Sequence, residues 1–578
     1  MKKTRLTVID FFSGAGGFSE GFRQQGFKIV KGIDNWEPAV LTHNLNHGLN
    51  DLPDNVLNYV GTDSSDVEHI ERLPDVDVII GSPSCVTFSM SNKGGKADKT
   101  EGLKLIEAYL RVIAVKKHKK NSTLKVWLME NVPNSGNYVK HDYSFSDLNL
   151  DLWAKANAIN PNTIALSLNG VVLNASDYGA PQNRNRFICG EYIKNGRFPM
   201  PKPVKHSPLR LKDIKSKMPK PNDNNPSGIW EDPNYPVLKL EADHISDHFY
   251  DTGLYITQWE QAKYLKTMHP FMGKMSFPED EEKKSRTITA TRSSSTREAL
   301  IYKSEYIRIG HGEYRAPTIR EVASLMGYPY TYQFFGSESL KWKLIGNSVS
   351  PQLSSALAKA ILKEEGHRHV PANDIDFDSQ KNNYLLINNL NNYTPNSFDE
   401  NKLRRIGARF RRSLYKAQNM TVDLLNYYPG ESIDIGKKWY VSVFYGTGSE
   451  HQYDVLTKAS YRKLSDLLSK EFDLFDDFIL ELESYMGGKS LTPRALQKAY
   501  ETDSELTNEL NPLVLIEKLS QIAKKYASTN TELRLTSSGL SRQEYSLSLL
   551  LCLFSAAYIV YNETQTVPVG EKSFAYEF

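Results

Sequence analysis

The sequence predicts an α/β fold in which a doubly wound, mostly parallel sheet is followed by a loop-rich insertion and a mainly helical C-terminal extension. Three observations lead to this prediction. Short apolar, β-branched runs alternate with helix-compatible stretches in the N-terminal part, which is the pattern of βαβ units. Pro-, Lys-, Asn- and Ser-rich sequence with weak periodicity then occupies about 191–310, and a mainly helical pattern begins at 399.

The predicted elements follow one another along the chain. The predicted strands are 5–11, 27–33, 76–80 and 124–129, with helix-compatible stretches at 37–46 and 101–118 between them. A strand-like pattern returns at 286–303, and a compact helical pattern covers 316–364. The uncharged run from Tyr545 to Tyr561 is short for a membrane span and contains serines, so it predicts a buried core helix.

The length of the chain predicts several domains. A chain of 578 residues is too long for one hydrophobic core. Shifts in composition predict a first α/β part at 1–190, an inserted domain at 191–310 and the remaining α/β part at 311–366. An Asn-rich linker at 367–398 and a helical accessory domain at 399–578 would follow.

Net charge and cysteine content restrict the possible partners and the cellular compartment only weakly. A formal net charge of +3 neither requires nor excludes nucleic acid, so an anionic partner must be argued from local patches. The three scattered cysteines, Cys85, Cys189 and Cys552, form no disulfide framework and show no paired metal-ligand spacing. We therefore expect a reducing compartment, the cytoplasm, and the short N-terminal apolar run interrupted by Asp10 does not predict a cleavable signal.

Two features near the N-terminus favour a cofactor that carries a nucleoside. The glycines of FFSGAGGF allow a tight turn into a helix whose N-terminal amides can bind a ligand. Asp34 ends the second predicted strand, roughly 20 residues on, where an acid can reach ribose hydroxyls. A plain strand-to-helix turn and a solvated aspartate are the alternatives for each feature taken alone.

Reactive side chains follow the next two predicted strands. A lone cysteine such as Cys85 is more often an inert, part-buried thiol, but at the same sheet edge as the glycine turn it is a candidate nucleophile. Glu130 ends the neighbouring strand, where a carboxyl must be solvated, paired or protonated. Arg184 and Arg186 would share one face of an extended segment, although a solvated charged strand has the same pattern.

Six sequence motifs resemble the ordered motif set of the DNA cytosine-5 methyltransferases. They occur in the order of that family and cover about 5–190 and 315–365, which argues strongly against a chance match. The motifs are DFFSGAGGF, GSPSCVTFS, ENV, NASDYGAPQNRNRFICG, RAPTIREVASLMGYP and IGNSVSPQL.

The resemblance implies a Rossmann-like domain that transfers a methyl group from S-adenosylmethionine to C5 of a cytosine flipped out of double-stranded DNA. It implies that Cys85 forms a covalent adduct with the base and that Glu130 handles the ring nitrogen. Arg184 and Arg186 would hold the base and the carboxylate.

The resemblance also implies a set of cofactor-binding residues. Phe12 would stack on the adenine, Asp34 would bind the ribose, and Asp63 would approach the adenine amine. The other implied cofactor-binding residues are Ser13, Gly14, Gly16, Asn35, Pro83 and Asn347.

The insertion at 191–310 corresponds by this resemblance to the variable target-recognition region of the family. RTITATRSSS at 286–295 resembles the part that packs near DNA. Double-stranded DNA is the expected partner, no membrane is expected, and a cognate restriction endonuclease is expected if the protein serves restriction-modification rather than acting alone.

Some features depart from the family pattern and leave alternatives open. Ser84 and Val86 flank Cys85 where the family usually has proline and often glutamine, with Pro83 one step earlier. An RNA-directed branch of the family is one alternative, although its Cys-Phe-Thr element is missing here. A regulatory DNA-binding protein and a nuclease fused in the tail are others. In that tail, 400–419 carries arginines at helical spacing, which predicts either phosphate contacts or a solvated helix face.

Overall fold

The structure is a computed structural model in which the chain forms two compact units. Unit 1 comprises the described residues within Met1–Asp251, Glu279–Arg292 and Pro317–Phe398, and unit 2 those within Thr252–Pro278, Ser293–Ala316 and Asp399–Phe578. The described residues are 5–60, 64–84, 88, 98–205, 209–221, 223, 225–254, 256–268, 274–308, 312–377, 407–417, 420–429, 435–445, 452–487, 489, 491–503, 506–530, 534–536 and 544–561.

A six-stranded sheet forms the centre of unit 1, in the order β2-β1-β3-β4-β8-β7. Its strands are β1 (Thr7–Phe11), β2 (Lys28–Ile33), β3 (Val78–Gly81), β4 (Val126–Asn131), β7 (Gly170–Asn174) and β8 (Asn185–Tyr192). The first four strands are parallel, whereas β8 is antiparallel to β4 and β7 is antiparallel to β8. The four predicted strands are therefore confirmed, and the sheet is mixed because a β7–β8 hairpin extends it.

Helices cover both faces of this sheet. The helices described in unit 1 are α1 (Gly17–Gln24), α2 (Glu37–His47), α3 (Ser64–Arg72), α4 (Thr100–His118), α5 (Asp151–Ala156), α6 (Leu211–Lys215), α8 (Ile319–Met326), α9 (Glu338–Asn347) and α10 (Pro351–Glu364). The two predicted N-terminal helices correspond to α2 and α4, and the helical pattern at 316–364 corresponds to α8 to α10. Unit 1 also contains the small strand pairs β5–β6 (Asp142–Ser144, Ile164–Ser167) and β9–β10 (Ile229–Glu231, Lys239–Glu241).

Two apolar layers hold unit 1 together. Ile79 and Trp127 belong to one layer, which includes buried residues of α3 and α4, while Ile80 and Leu128 belong to the other, which includes α1 and α10. Because the central strands are buried on both faces, their sequences are continuous apolar runs rather than alternating ones. The doubly wound arrangement predicted from the sequence is present in this part of the chain.

Close packing of α1 against α10 fixes the helix that follows β1. A Cβ atom added to Gly21 would lie 2.4 Å from the Cβ of Ser354 and 2.4 Å from the backbone nitrogen of Ser355. Only a glycine permits this approach without a shift of one helix.

The region predicted as an insertion, 191–310, is divided between the two units. Unit 2 receives from it α7 (Ile256–Thr267) and most of the strand pair β11–β12 (Tyr302–Arg308, Gly312–Arg315). The prediction of a strand-like 286–303 is wrong except at its end, since regular strand begins only at Tyr302. Thr287 and Ile288 instead lie beside residues 182–184 and form single hydrogen bonds with them rather than a regular strand ladder.

The C-terminal part of unit 2 combines a sheet with helices. Four antiparallel strands occur in the order β13 (Arg411–Ala417), β14 (Met420–Leu425), β15 (Tyr440–Tyr445) and β16 (Gln452–Val455). The helices are α11 (Lys458–Glu471), α12 (Phe475–Met486), α13 (Pro493–Thr502), α14 (Pro512–Ala527) and α15 (Leu547–Tyr561), with a strand pair β17–β18 (Arg534–Thr536, Glu544–Ser546) before α15.

Two predictions for this segment have opposite outcomes. The helical spacing assigned to the arginines of 400–419 is wrong, because its described part from Arg411 onward forms β13. The prediction of a buried core helix at Tyr545 to Tyr561 is confirmed by α15, most of whose side chains are buried. None of the helices in the described residues is long and apolar enough to cross a membrane.

Candidate active site

The register of the central sheet brings the ends of several strands to one edge. Phe11 of β1 is paired with Gly81 of β3, and Gly81 is paired with Met129 of β4. Because β8 runs antiparallel to β4, Phe187 near its start is opposite Asn131 at the end of β4. The residues that follow β1, β2, β3 and β4 and the first residues of β8 therefore share this edge.

The turn after β1 has an unusual backbone. Phe12, Gly14 and Gly16 all have positive φ angles, of 54°, 52° and 85°, and Phe12 is the one of the three that carries a Cβ atom. The Ser13 amide donates to the carbonyl of Ile33 at 3.1 Å, and the Ser82 hydroxyl donates to the carbonyl of Phe12 at 3.1 Å. Neighbouring strands thus hold the turn in a conformation that is strained at Phe12.

Asp34, the first residue after β2, is tied directly to this turn. One carboxylate oxygen accepts from the Gly14 amide at 2.9 Å, and the other accepts from the Trp36 amide at 2.9 Å. Burial raises the pKa of Asp34 above its usual range, although these backbone hydrogen bonds oppose the rise. Asn35, next in the chain, is exposed.

Unsatisfied polar atoms beside the turn fit a bound polar ligand. The Ser13 hydroxyl oxygen and one carboxylate oxygen of Asp10 are buried and have no hydrogen-bond partner among the described residues. Buried polar groups usually have partners, so such atoms next to a glycine turn are typical of a binding site. Together with the acceptor Asp34, they fit a cofactor that carries hydroxyl and amino groups.

Glu130 and Arg186 form a buried ion pair at the same edge. Arg186 Nε lies 2.8 Å from Glu130 Oε1, and the two side chains are 11% and 7% exposed. Burial raises the pKa of Glu130, while the charges of Arg186 and Arg184 lower it, and the net direction is upward. A carboxyl held in this way can donate or accept a proton in a site that excludes water.

Arg184 lies close by but donates to the backbone. Its guanidinium donates to the carbonyls of Ile288, Gly346 and Ser348, at 3.1, 2.9 and 2.7 Å. It is fully buried and joins the segment before β8 to residue 288 and to the end of α9. The sequence suggested that Arg184 and Arg186 share one face of an extended segment, but the two arginines make different contacts.

Two asparagines, one at the end of β4 and one shortly after it, contact Pro83 and Phe88 in the sequence around Cys85. Asn131 Nδ2 donates to the carbonyl of the buried Pro83 at 3.0 Å, and Asn134 Nδ2 donates to the carbonyl of Phe88 at 3.0 Å. Cys85 and Asp63 lie outside the described residues.

Comparison with known proteins identifies the family. The sequence profile of the C-5 cytosine-specific DNA methylases matches residues 6–363, which is more than half of the chain. The chain belongs to this family. It is thus a DNA cytosine-5 methyltransferase of the prokaryotic type, as the motif resemblance predicted.

Two curated relatives of this methyltransferase illustrate the extent of the similarity. A type II methyltransferase of Haemophilus parahaemolyticus is 28% identical over 372 residues, covering 62% of this chain and 87% of the relative. A type II methyltransferase of Methanothermobacter thermautotrophicus is 25% identical over 387 residues, covering 62% of this chain and 98% of the relative. The family match ends at residue 363, so the C-terminal segment lies beyond it.

The positioning roles of several other groups in the methyltransferase were not predicted from the sequence. Ser82, Asn131 and Asn134 position the strand ends, and Gly346 accepts from Arg184 through its carbonyl. Asn347, suggested for the cofactor side, is exposed at the last position of α9. Positioning residues of this kind carry no distinctive spacing, because their partners are backbone carbonyls far away in the chain.

Proposed function

We propose that the protein transfers a methyl group from S-adenosylmethionine to C5 of a cytosine in a specific double-stranded DNA sequence, through a covalent adduct with Cys85. The observation that supports this most directly is the buried Glu130–Arg186 pair, at the sheet edge that also carries the glycine turn and Asp34. A carboxyl with a raised pKa suits the handling of a ring nitrogen.

The cofactor would lie against the turn after β1. Asp34 would accept from ribose hydroxyls, the Ser13 hydroxyl would contact a polar group of the cofactor, and Phe12 would stack on its adenine. Gly14 and Gly16 would let the backbone of the turn approach the cofactor closely. Asn35, Asp63, Pro83 and Asn347 complete the proposed set. When bound, the cofactor supplies the methyl group as an electrophile.

Cys85 would make C5 reactive. Cytosine C5 is a poor nucleophile, so the thiolate first forms a bond to C6 and the electrons of the C5–C6 double bond move into the ring. C5 would then form its bond to the methyl group while the methyl–sulfur bond of the cofactor breaks and the sulfur keeps the bonding electrons. A base removes the C5 proton, and departure of the thiolate restores the C5–C6 double bond.

Glu130 would act on N3 while Cys85 adds to the ring. Negative charge develops toward N3 as the thiolate adds, and the Glu130 carboxyl can donate a proton or a hydrogen bond there. Arg186 would keep the carboxyl oriented through the 2.8 Å contact, and Arg184 would hold nearby backbone in place. These atoms are out of reach inside a stacked duplex, so the target base must be flipped out.

The biological setting is also a proposal. The relatives are type II methyltransferases, which favours a role in restriction-modification with a cognate endonuclease, and a solitary modifier is the second setting. Residues 191–310 would recognise the target sequence, between catalytic parts at 1–190 and 311–366. Residues 367–398 would act as a linker, and 399–578 as an accessory domain.

Expression in a methylation-free host, followed by base-resolution sequencing for 5-methylcytosine, tests the activity. We expect modification at one sequence motif. The Cys85→Ser variant should lose all methylation and still bind S-adenosylmethionine in calorimetry. Full activity of this variant would refute the covalent mechanism, and modification of host RNA without DNA would favour the RNA-directed alternative.

A further inference from the structure

Unit 2 is built from two distant parts of the sequence. It joins 252–278 and 293–316, which lie largely inside the proposed recognition region, to the C-terminal segment 407–561. The first two stretches fall within the family match, and the third lies beyond it. The C-terminal segment is therefore part of the same compact body as a large share of the recognition region.

Contacts between described residues join these parts at three places. Helix α7 packs against β13, the strand at one edge of the C-terminal sheet. Lys524 of α14 forms an ion pair with Glu260 of α7. Lys416 Nζ of β13 donates to the Ser295 hydroxyl at 3.3 Å, and Ser295 belongs to the run RTITATRSSS. An edge strand needs a covering element, and here the recognition region provides one.

Basic side chains are exposed along β13 and just before it. Arg409, Arg411 and Lys416 are all exposed. The Arg409 guanidinium lies 4.8 Å from the ring centroid of Tyr427, which restricts its orientation. Arg411 is paired with the buried Asp423, so its guanidinium stabilises the sheet. Arg409 and Lys416 are the other exposed basic side chains of the described residues 407–416.

The residue types around Lys416 match those that bind a nucleic-acid backbone. Lysine, arginine and serine side chains make many of the contacts to phosphate oxygens. Ser293, Ser294 and Ser295 lie in one run, and Lys416 is hydrogen-bonded to the last of them. A duplex that reaches this serine run would also come within reach of β13.

We propose that the C-terminal segment is part of the DNA-binding surface, where Lys416 contacts the phosphate backbone of the duplex beside the serine run and Arg409, before the other end of β13, contacts it further along the duplex. This proposal rests on the proposed DNA-methylating function. It assigns the segment a sequence-independent contribution to affinity, while sequence reading stays with the recognition region.

The test compares two double variants with the same change in net charge. Arg409→Gln/Lys416→Gln removes the proposed contacts, and Arg462→Gln/Lys470→Gln removes exposed charges on α11 of the same unit. Equilibrium binding is measured over a range of salt concentrations, on a short duplex with the methylated motif and on one without it.

We expect the first variant to bind both duplexes about tenfold more weakly and to lower the salt dependence by about one to two phosphate contacts. Cofactor affinity and the single-turnover rate at saturating DNA should stay at the wild-type level, and the α11 variant should bind like the wild type. Equal affinity of all three proteins, or equal losses in both variants, would overturn the proposal. If the wild type neither binds nor methylates DNA, the proposed function itself fails instead.

Discussion

At the scale of single residues, Glu130 is the group whose surroundings most favour a chemical role. We expect Glu130→Gln to lower the single-turnover methylation rate at least about 100-fold, because the amide cannot give a proton to the base. Cofactor affinity should change little, since Asp34 and the glycine turn remain intact. Rapid-quench assays with saturating DNA measure the rate.

Glu191 provides the matched control for Glu130. It is a buried carboxylate of the same sheet and pairs with Lys117 at 2.7 Å, but it lies toward the other end of β8. We expect Glu191→Gln to affect stability far more than rate. If both variants lost the same fraction of activity, the Glu130 carboxyl would have only a structural role.

Asp10 gives the fold a dependence on pH. Burial raises its pKa from 3.8 to about 7, against the opposing effect of its hydrogen bonds from Ser19. Between these pH values the folded chain binds a proton that the unfolded chain has lost, so the free energy of unfolding falls as pH rises and levels off above about pH 7. The effect is at most about 4 kcal/mol.

The Asp10→Asn variant should therefore show a smaller fall in the free energy of unfolding as the pH rises from about 5 to about 7. This interval lies within the range from the ordinary pKa of 3.8 to the folded value of about 7. Urea unfolding at several pH values measures this fall in the free energy of unfolding. Part of the slope should remain, because burial also raises the pKa of Asp232 to about 7. An unchanged slope would show that Asp10 is ionised in the folded protein.

At the scale of elements, the contact between α1 and α10 sets the position of the helix that begins at the glycine turn. Gly21→Ala should destabilise unit 1 by up to about 2 kcal/mol. Alanine improves helix propensity by about 1 kcal/mol, but overpacking costs about 1–3 kcal/mol and the new Cβ would be 2.4 Å from two atoms of α10. Thermal unfolding measures the change.

A double-mutant cycle assigns that loss to the contact. Ser354→Gly removes the side chain nearest to the new methyl group and should restore part of the stability lost in Gly21→Ala. Additive effects of the two substitutions would contradict the explanation, because they would leave no interaction between positions 21 and 354.

Elements with a local signal could be predicted from the sequence. The strands β1 to β4 are apolar runs buried on both faces, and α15 is an uncharged run buried in a core, so local composition is enough. The four-stranded sheet of unit 2 was missed because its strands depend on packing against helices far along the chain. Arginines in β13 can repeat at helical spacing by coincidence, and tertiary contacts override such a pattern.

The residues of the candidate site could likewise be predicted from the sequence only in part. Glycine turns and strand-end acids are visible in sequence because backbone geometry demands them, and the structure ties Gly14 to Asp34 directly. The separate contacts of Arg184 and Arg186 could not be predicted, since Arg184 donates to backbone carbonyls that lie 104 and 162 positions further along the chain.

At the scale of the whole molecule, the Lys524–Glu260 pair joins residues separated by 264 positions. We expect Lys524→Glu to weaken DNA binding a few-fold and to lower the stability of unit 2 by about 1 kcal/mol, because two like charges would face each other. The double variant Lys524→Glu/Glu260→Lys should restore both. Binding titrations and urea unfolding measure the two effects.

The neighbouring pair supplies the control for this prediction. Lys525 and Glu481 are 2.6 Å apart and both belong to the C-terminal segment. Lys525→Glu should also lower the stability of unit 2 but leave DNA affinity unchanged. A loss of DNA affinity as large as that of Lys524→Glu would mean that any destabilisation of unit 2 has this effect.

Because unit 2 combines distant parts of the chain, it can fold completely only late in synthesis. Chains grow at roughly 5–20 residues per second, so the 264 positions between Glu260 and Lys524 take on the order of tens of seconds to make. During that time the ribosome-bound chain already has the sequence of β1 to β4 and of the glycine turn, but 252–278 and 293–316 lack the C-terminal segment against which they pack. If unit 2 binds DNA as proposed, a chain released before Lys524 is made would keep the candidate catalytic residues but lack the completed unit 2, and we expect it to bind DNA more weakly.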